Sequence, residues 1–181
     1  STHENSSAAS DVHKRQGDSN TAVGRYTGGE ITSGSGNTLI GQQAGRGVST
    51  QTYNTALGDN ALRNNPTGSG NTALGNDALY ATTGDNNIGI GRNSGDNITS
   101  GNGNVIIGEV DAGSATGDRQ LVIAGYDGTT TTTWISGDSS GVVTATLAAN
   151  TITSTQLASA TTLLILNSSG STLKTIIGAG S

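Results

Sequence analysis

Apolar residues in this chain fall into short runs, and the runs recur. Each run opens with Asn, carries apolar residues at its third and fourth positions, and closes with Gly. The copies are Asn20-Thr21-Ala22-Val23-Gly24, Asn37-Thr38-Leu39-Ile40-Gly41, Asn54-Thr55-Ala56-Leu57-Gly58, Asn71-Thr72-Ala73-Leu74-Gly75, Asn87-Ile88-Gly89-Ile90-Gly91 and Asn104-Val105-Ile106-Ile107-Gly108. A worn seventh copy is Gln120-Leu121-Val122-Ile123-Ala124, and the starts lie 17, 17, 17, 16, 17 and 16 residues apart. A fixed period of this length predicts stacked units rather than a globule.

With Asn as position 1, positions 2 to 4 favour a short β-strand. Gly at position 5 (Gly24, Gly41, Gly58, Gly75, Gly91, Gly108) permits positive φ and a sharp turn after the strand. The repeat Asn residues (Asn20, Asn37, Asn54, Asn71, Asn87, Asn104) tolerate the left-handed region and can bond their own backbone. Small residues at position 8 predict a second, weaker strand-like segment in each unit. A turn rich in Gly, Ser, Thr and Asn follows, and Pro66 falls in one of these turns, where it costs no ladder hydrogen bond. No stretch carries apolar residues at helical spacing without a Gly or a turn cluster.

The fold these positions predict is all-β: a parallel β-solenoid, or β-roll, of about seven coils of 16–17 residues, followed by a smaller β-rich C-terminal segment. Stacked at about 4.8 Å, seven coils make a rod of roughly 34 Å. Each coil covers the next one's edge. Two small strands per coil enclose little volume, so an inner row of Leu, Ile and Val would be poorly covered in one chain. Several chains around a common axis, three by expectation, would cover it.

Composition narrows the classes. Hydrophobic residues make up 31% and aromatic residues 3%, with no Phe, Met or Cys, so the core is thin and aliphatic. Disorder is disfavoured because only 12% of residues are charged and the apolar positions are phased. The net charge of -5, without a basic run, argues against nucleic acid as a partner. No segment approaches the ~20 apolar residues of a membrane helix, so membrane insertion is not expected. Without cysteine there is neither a disulfide framework nor thiol chemistry.

The Asn-Thr-Ala-Leu-Gly-x-x-Ala unit resembles the head repeats of trimeric autotransporter adhesins. It is still more similar to the Asn-Thr-Ala-Leu-Gly repeats of bacteriophage tail fibres and related surface fibres. The resemblance covers about residues 18–125 and implies a trimeric β-roll on a virion or cell surface. The coils here are longer than the usual adhesin unit. Neither the autotransporter anchor nor the self-cleaving chaperone domain of some phage fibres is recognisable.

Outside the repeats, residues 1–17 read as a polar arm or connector carrying His3 and His13. Residues 126–140 resemble a phage-fibre transition segment through Trp134-Ile135-Ser136-Gly137-Asp138, with Trp134 expected to cap the rod. Residues 141–181 read as a β-rich association segment. Within it Leu163-Leu164-Ile165-Leu166 and Leu173-Lys174-Thr175-Ile176-Ile177 flank a turn and predict a hairpin. Leu163, Leu164, Ile165, Leu166, Ile176 and Ile177 are the candidate association residues, since an apolar β segment at a terminus needs cover.

Candidate chemistry is sparse. Asp59, Asp77, Asp85, Asp96 and Asp118 lie in turns, where Asp bonds locally, and the regular Asp of calcium-binding repeats is missing. His3 and His13 alone make a poor metal site. No nucleophile elbow or phosphate loop is present. The expectation is therefore no enzyme, no cofactor and no metal. The chain is expected to be an extracellular or virion fibre subunit partnered by itself, with a possible glycan or receptor contact on its turns. The alternatives are a secreted subunit polymerising head-to-tail by terminal strand exchange, and a carbohydrate- or ice-binding solenoid presenting Thr21, Thr38, Thr55 and Thr72.

Overall fold

The computed structural model describes residues 17–145 in full, with the backbone of two further strands, Thr162–Leu166 and Thr172–Ile177. The chain divides into two compact units, residues 1–146 and 147–181. Among the described residues every regular element is a strand and none is a helix.

The first unit is a parallel β-solenoid. Strands β1 (Thr21–Val23), β2 (Thr38–Ile40), β3 (Thr55–Leu57), β4 (Thr72–Leu74), β5 (Ile88–Ile90), β6 (Val105–Ile107) and β7 (Leu121–Tyr126) stack in chain order, each parallel to the next. Equivalent positions of the repeat are in register: Thr21, Thr38, Thr55, Thr72, Ile88, Val105 and Leu121 form one row. Two antiparallel strands, β8 (Thr131–Gly137) and β9 (Val143–Ala145), extend this to a nine-stranded sheet.

Seven parallel strands bound six turns of solenoid, one fewer than the repeat count suggests. The worn copy explains the difference. Ala124 stands where the other copies have Gly, so the chain does not turn and β7 runs on to Tyr126. It then reverses at Asp127, whose carboxylate accepts the N–H groups of Thr129 (2.9 Å) and Thr130 (2.8 Å).

The expected second strand in each coil is not formed. Position 7 (Tyr26, Gln43, Asn60, Asp77, Asn93) is left-handed, with φ of 54° to 60°. Position 9 (Gly28, Gly45, Leu62, Leu79, Gly95) is left-handed too, with φ of 47° to 61°. Two such residues flanking position 8 curl the backbone, and the coils meet there through isolated bonds such as Leu62 N–H to Ala78 O (3.0 Å). The small residue at position 8 is an inward corner and not a strand. A third left-handed residue, for example Gly36 or Asn86, precedes the repeat Asn. The Asn itself is not left-handed.

Gly at position 5 is required twice over. At Gly58 φ is +143°, and a Cβ there would lie 2.4 Å from the carbonyl oxygen of Gly75 in the next coil. Gly41 stands in the same relation to Gly58, at 2.3 Å. The turn therefore needs a residue without a side chain for close approach between coils as well as for its φ.

The core is one side chain wide. Position 3 (Leu39, Ala56, Ala73, Ile106, Val122) points inward and is buried, together with positions 8 and 9 and with Ile31, Val48 and Ile98 at position 12. Positions 3 and 9 share one volume. Leu39 is paired with Gly45, whose Cβ would sit 2.6 Å from a Leu39 methyl. Where position 3 shrinks to Ala56 and Ala73, position 9 grows to Leu62 and Leu79, both fully buried. Leu79 also fills the space over Gly89, where a Cβ would lie 2.7 Å from its Cγ. Holding Leu in the left-handed region costs ~1 kcal/mol or more, set against roughly 1.5–3 kcal/mol for burying the side chain. The inward row is thus fully covered within one chain, contrary to the expectation of a poorly covered inner row.

In the second unit, β10 (Thr162–Leu166) pairs antiparallel with β11 (Thr172–Ile177), with Leu163 opposite Ile176 and Ile165 opposite Lys174. The arm with His3 and His13, and residues 146–161, lie outside the described residues.

Gly58→Ala should destabilise the solenoid by about 2–3 kcal/mol through overpacking and φ strain. Denaturant unfolding of the variant against the parent chain measures this, and an unchanged midpoint would remove the close-approach argument.

Candidate functional site

Two features run the length of the solenoid: a ladder of buried amides inside it and an apolar face outside it. The ladder is built from the repeat Asn residues. Asn37, Asn54, Asn71, Asn87 and Asn104 are fully buried. The Oδ1 of each accepts the backbone N–H of the Asn one coil on: Asn37 from Asn54 (2.9 Å), Asn54 from Asn71 (2.9 Å), Asn71 from Asn87 (2.8 Å) and Asn87 from Asn104 (3.0 Å). In the first four coils and again at Asn87, Nδ2 donates to the carbonyl two residues before the next left-handed corner. These bonds include Asn54 to Gly68 (3.1 Å), Asn71 to Gly84 (2.9 Å) and Asn87 to Gly101 (2.9 Å). The amide bonds neighbouring coils rather than its own backbone. Asp at this position would lack the donor, and Ser would be too short to reach both partners.

Gln120 ends the ladder. It takes the N–H to Asn104 Oδ1 contact (2.8 Å), but its longer side chain folds back on its own turn. Its Oε1 accepts Ser114 N–H (2.7 Å), and its Nε2 donates to Ser114 O (2.8 Å) and Gly117 O (2.9 Å). A second ladder stands two residues before the Asn column and points the other way. The N–H of Thr52, Ser69, Asp85 and Asn102 donates to the side chains of Ser69 (3.2 Å), Asp85 (2.8 Å), Asn102 (2.8 Å) and Asp118 (2.8 Å) of the following coil. The Asn102 N–H bond holds the Asp118 carboxyl below its usual pKa.

Positions 2 and 4 of every strand face outward. Position 4 makes a column of Val23, Ile40, Leu57, Leu74, Ile90, Ile107 and Ile123, of which the first five are exposed. Strand register carries it on through Ile135 to Ala145. Position 2 makes a second column that is Thr21, Thr38, Thr55 and Thr72 at first and then Ile88, Val105, Leu121, Gly137 and Val143. Neither column holds a charged residue. On the opposite face of the extension, in line with buried Val122, stand Ser136 and Thr144. Together with Gln120, Val122 and Val142 they border an open recess of about 340 Å³ past the last turn. So in β8 and β9 the apolar side is the one that continues the outside of the solenoid.

The remaining polar groups lie on the turns. Arg63 donates to the Tyr80 hydroxyl one coil on (2.7 Å), and Arg46 approaches Glu30 at 3.6 Å. The exposed Arg46–Glu30 pair contributes little stability. Asp96 is pushed up to about 6, first by burial and then by the Asp111 carboxyl that shares a hydrogen bond with it, with Asp77 adding repulsion. Among the described residues no three acidic or His side chains gather as a metal-binding group. Trp134 is half exposed in β8, at the register shift opposite Ile123 and Ala124, with its ring against Gly125. The side chains of Leu163, Leu164, Ile165, Leu166, Ile176 and Ile177 lie outside the described residues.

The Asn and Gly columns were readable as repeats, though their inter-coil partners were not. The outward apolar column escaped the sequence reading because positions 3 and 4 are apolar alike. Strict alternation through the three-residue strand separates them once position 3 is known to be inside.

Asn71→Ala leaves Asn87 N–H and Gly84 O without partners inside the solenoid, so it should cost about 2–4 kcal/mol. Thermal unfolding reads this directly. For Asp96 the folded state holds its proton more tightly than the unfolded state does. Its contribution is therefore present below the ordinary carboxyl range, near 3.8, and is lost as pH rises through about 6. Asp118, Asp127 and Asp138 are shifted down, so their contributions are present above the ordinary carboxyl range and are lost as pH falls through it. Melting temperature should thus fall between pH 4.5 and 7 (roughly the Asp96 window), and Asp96→Asn should flatten that slope.

Comparison of the chain with protein-family models, with curated proteins and with solved structures finds no match.

Proposed function

We propose that this chain is the shaft subunit of an extracellular or virion fibre, in which copies pack through the outward apolar face and leave the polar turns exposed. The observation that carries this reading is the inversion at β8 and β9. There the exterior side holds Ile135 and Val143 while the interior side holds Ser136 and Thr144. A sheet that ended in water would have its apolar residues the other way round.

Size favours a closed group over a pair. Nine strands at about 4.8 Å make a strip roughly 40 Å long. At ~10 Å wide it offers about 400 Å², short of the ~800 Å² per partner of a stable pair. Three copies around an axis bring flanking turns into contact as well, which supports a homotrimer. The turns differ from coil to coil at position 6, as Arg25, Gln42, Asp59, Asn76, Arg92 and Glu109, whereas positions 1 and 5 repeat. Surface contacts with a receptor or glycan belong on those variable turns.

Sedimentation equilibrium of the purified chain tests the reading. Three times the chain mass is expected. An open-ended mass distribution would favour a head-to-tail filament instead, and a monomer at all concentrations would sink both.

A further inference from the structure

The outward face is not uniform along its length. From β1 to β4 its position-2 column is Thr, and Thr21, Thr38 and Thr55 are exposed. From β5 onward the column becomes Ile88, Val105 and Leu121, beside Ile90, Ile107 and Ile123, so two aliphatic columns run side by side. Exposure of the position-4 column does not change at β5: Ile40 and Ile90 are both 36% exposed, and only Ile107 and Ile123 beyond them are half-buried. In strand register the two columns continue into Ile135 and Ala145, and into Gly137 and Val143.

Enclosing the first half of the face between copies means enclosing the Thr hydroxyls too. Thr38, Thr55 and Thr72 make no side-chain hydrogen bond among the described residues. Burying a hydroxyl without a partner offsets much of the gain from the neighbouring Ile or Leu. The second half of the face carries no such cost. A second copy of this chain is the occupant that fits, because copies aligned in parallel place Thr against Thr and aliphatic against aliphatic at every level.

We infer that self-association is concentrated in the C-terminal half of the outward face, at Ile88, Ile90, Val105, Ile107, Leu121 and Ile123, and that the Thr-bearing coils contribute little. This rests on the self-association reading above and adds where along the shaft the copies are held.

Matched triple substitutions in one column test it. Ile90→Thr, Ile107→Thr and Ile123→Thr change three outward residues of the C-terminal half. Ile40→Thr, Leu57→Thr and Leu74→Thr change three in the N-terminal half. Thr is β-branched like Ile and suits an outward strand position. A third variant, Thr38→Ile with Thr55→Ile and Thr72→Ile, extends the double aliphatic column. It guards against misfolding of the first set because it gains apolar surface. Association is read by sedimentation velocity over a concentration series of the full chain, with circular dichroism confirming folding. The C-terminal set should weaken association at least ~100-fold, the N-terminal set less than ~10-fold, and the Thr→Ile set should tighten it, as expected where a few central contacts dominate an interface. Equal weakening by the two Thr sets, or no tightening by the Ile set, would overturn the graded face while leaving self-association standing. A parent chain that never associates would overturn the reading beneath it.

Discussion

Everything in the solenoid depends on the next coil being one strand spacing away. At that distance a backbone carbonyl of coil n+1 stands where a side chain of coil n would begin, and position 5 must be Gly. A polar group turned inward finds partners only in its own turn, as Asn65 and Gln120 do, or in the coil before or after. Asn meets that demand because one side chain accepts from one coil's N–H and donates to a carbonyl as well. The opposed column of Ser, Asp and Asn two residues earlier works in the other axial direction, so each coil is tied both ways. Cooperativity between nearest neighbours follows from this arrangement.

The same narrowness explains the outward face. The interior holds one or two large aliphatic side chains per coil, from position 3 or position 9 but not both, and from position 12 at Ile31, Val48 and Ile98. Leu39 with Gly45 and Ala73 with Leu79 are the two solutions. A further Leu or Ile at position 4 has no room inside and no need to be there for the coil to close. It recurs through every coil and continues into β8 and β9. The self-association we propose would be the counterpart of a core that is already full.

Much of the fold was legible from the repeat. Period, strand position and the Gly turn follow from residues such as Asn54 to Gly58, because a column of identical residues leaves few alternatives. Three things were not legible, each for a physical reason. Leu62 and Leu79 are left-handed, which no propensity rule anticipates, since burial outweighs the backbone cost. Their reciprocal relation with Ala56 and Ala73 was the available signal. The number of turns depended on a single Ala124 in place of Gly. And apolar residues at both 3 and 4 conceal which one faces inside, so the row assigned to the interior and the row left uncovered were merged. Of the candidate site residues, the Asn and Gly columns lie where the period puts them. The outward aliphatic column emerges only when alternation is counted from the buried Leu39 and Ile106.

Packing of one copy's outward sheet face against another's, as proposed, fixes the distances between residues on that face. Because the chain has no cysteine, single spin labels can be placed cleanly at Thr72→Cys on that face and at Asn64→Cys on an exposed turn. Distances between copies of ~10–20 Å are expected from position 72, as faces packed about 10 Å apart require, and clearly longer ones from position 64. No coupling between copies at position 72, or shorter distances from position 64, would contradict that packing.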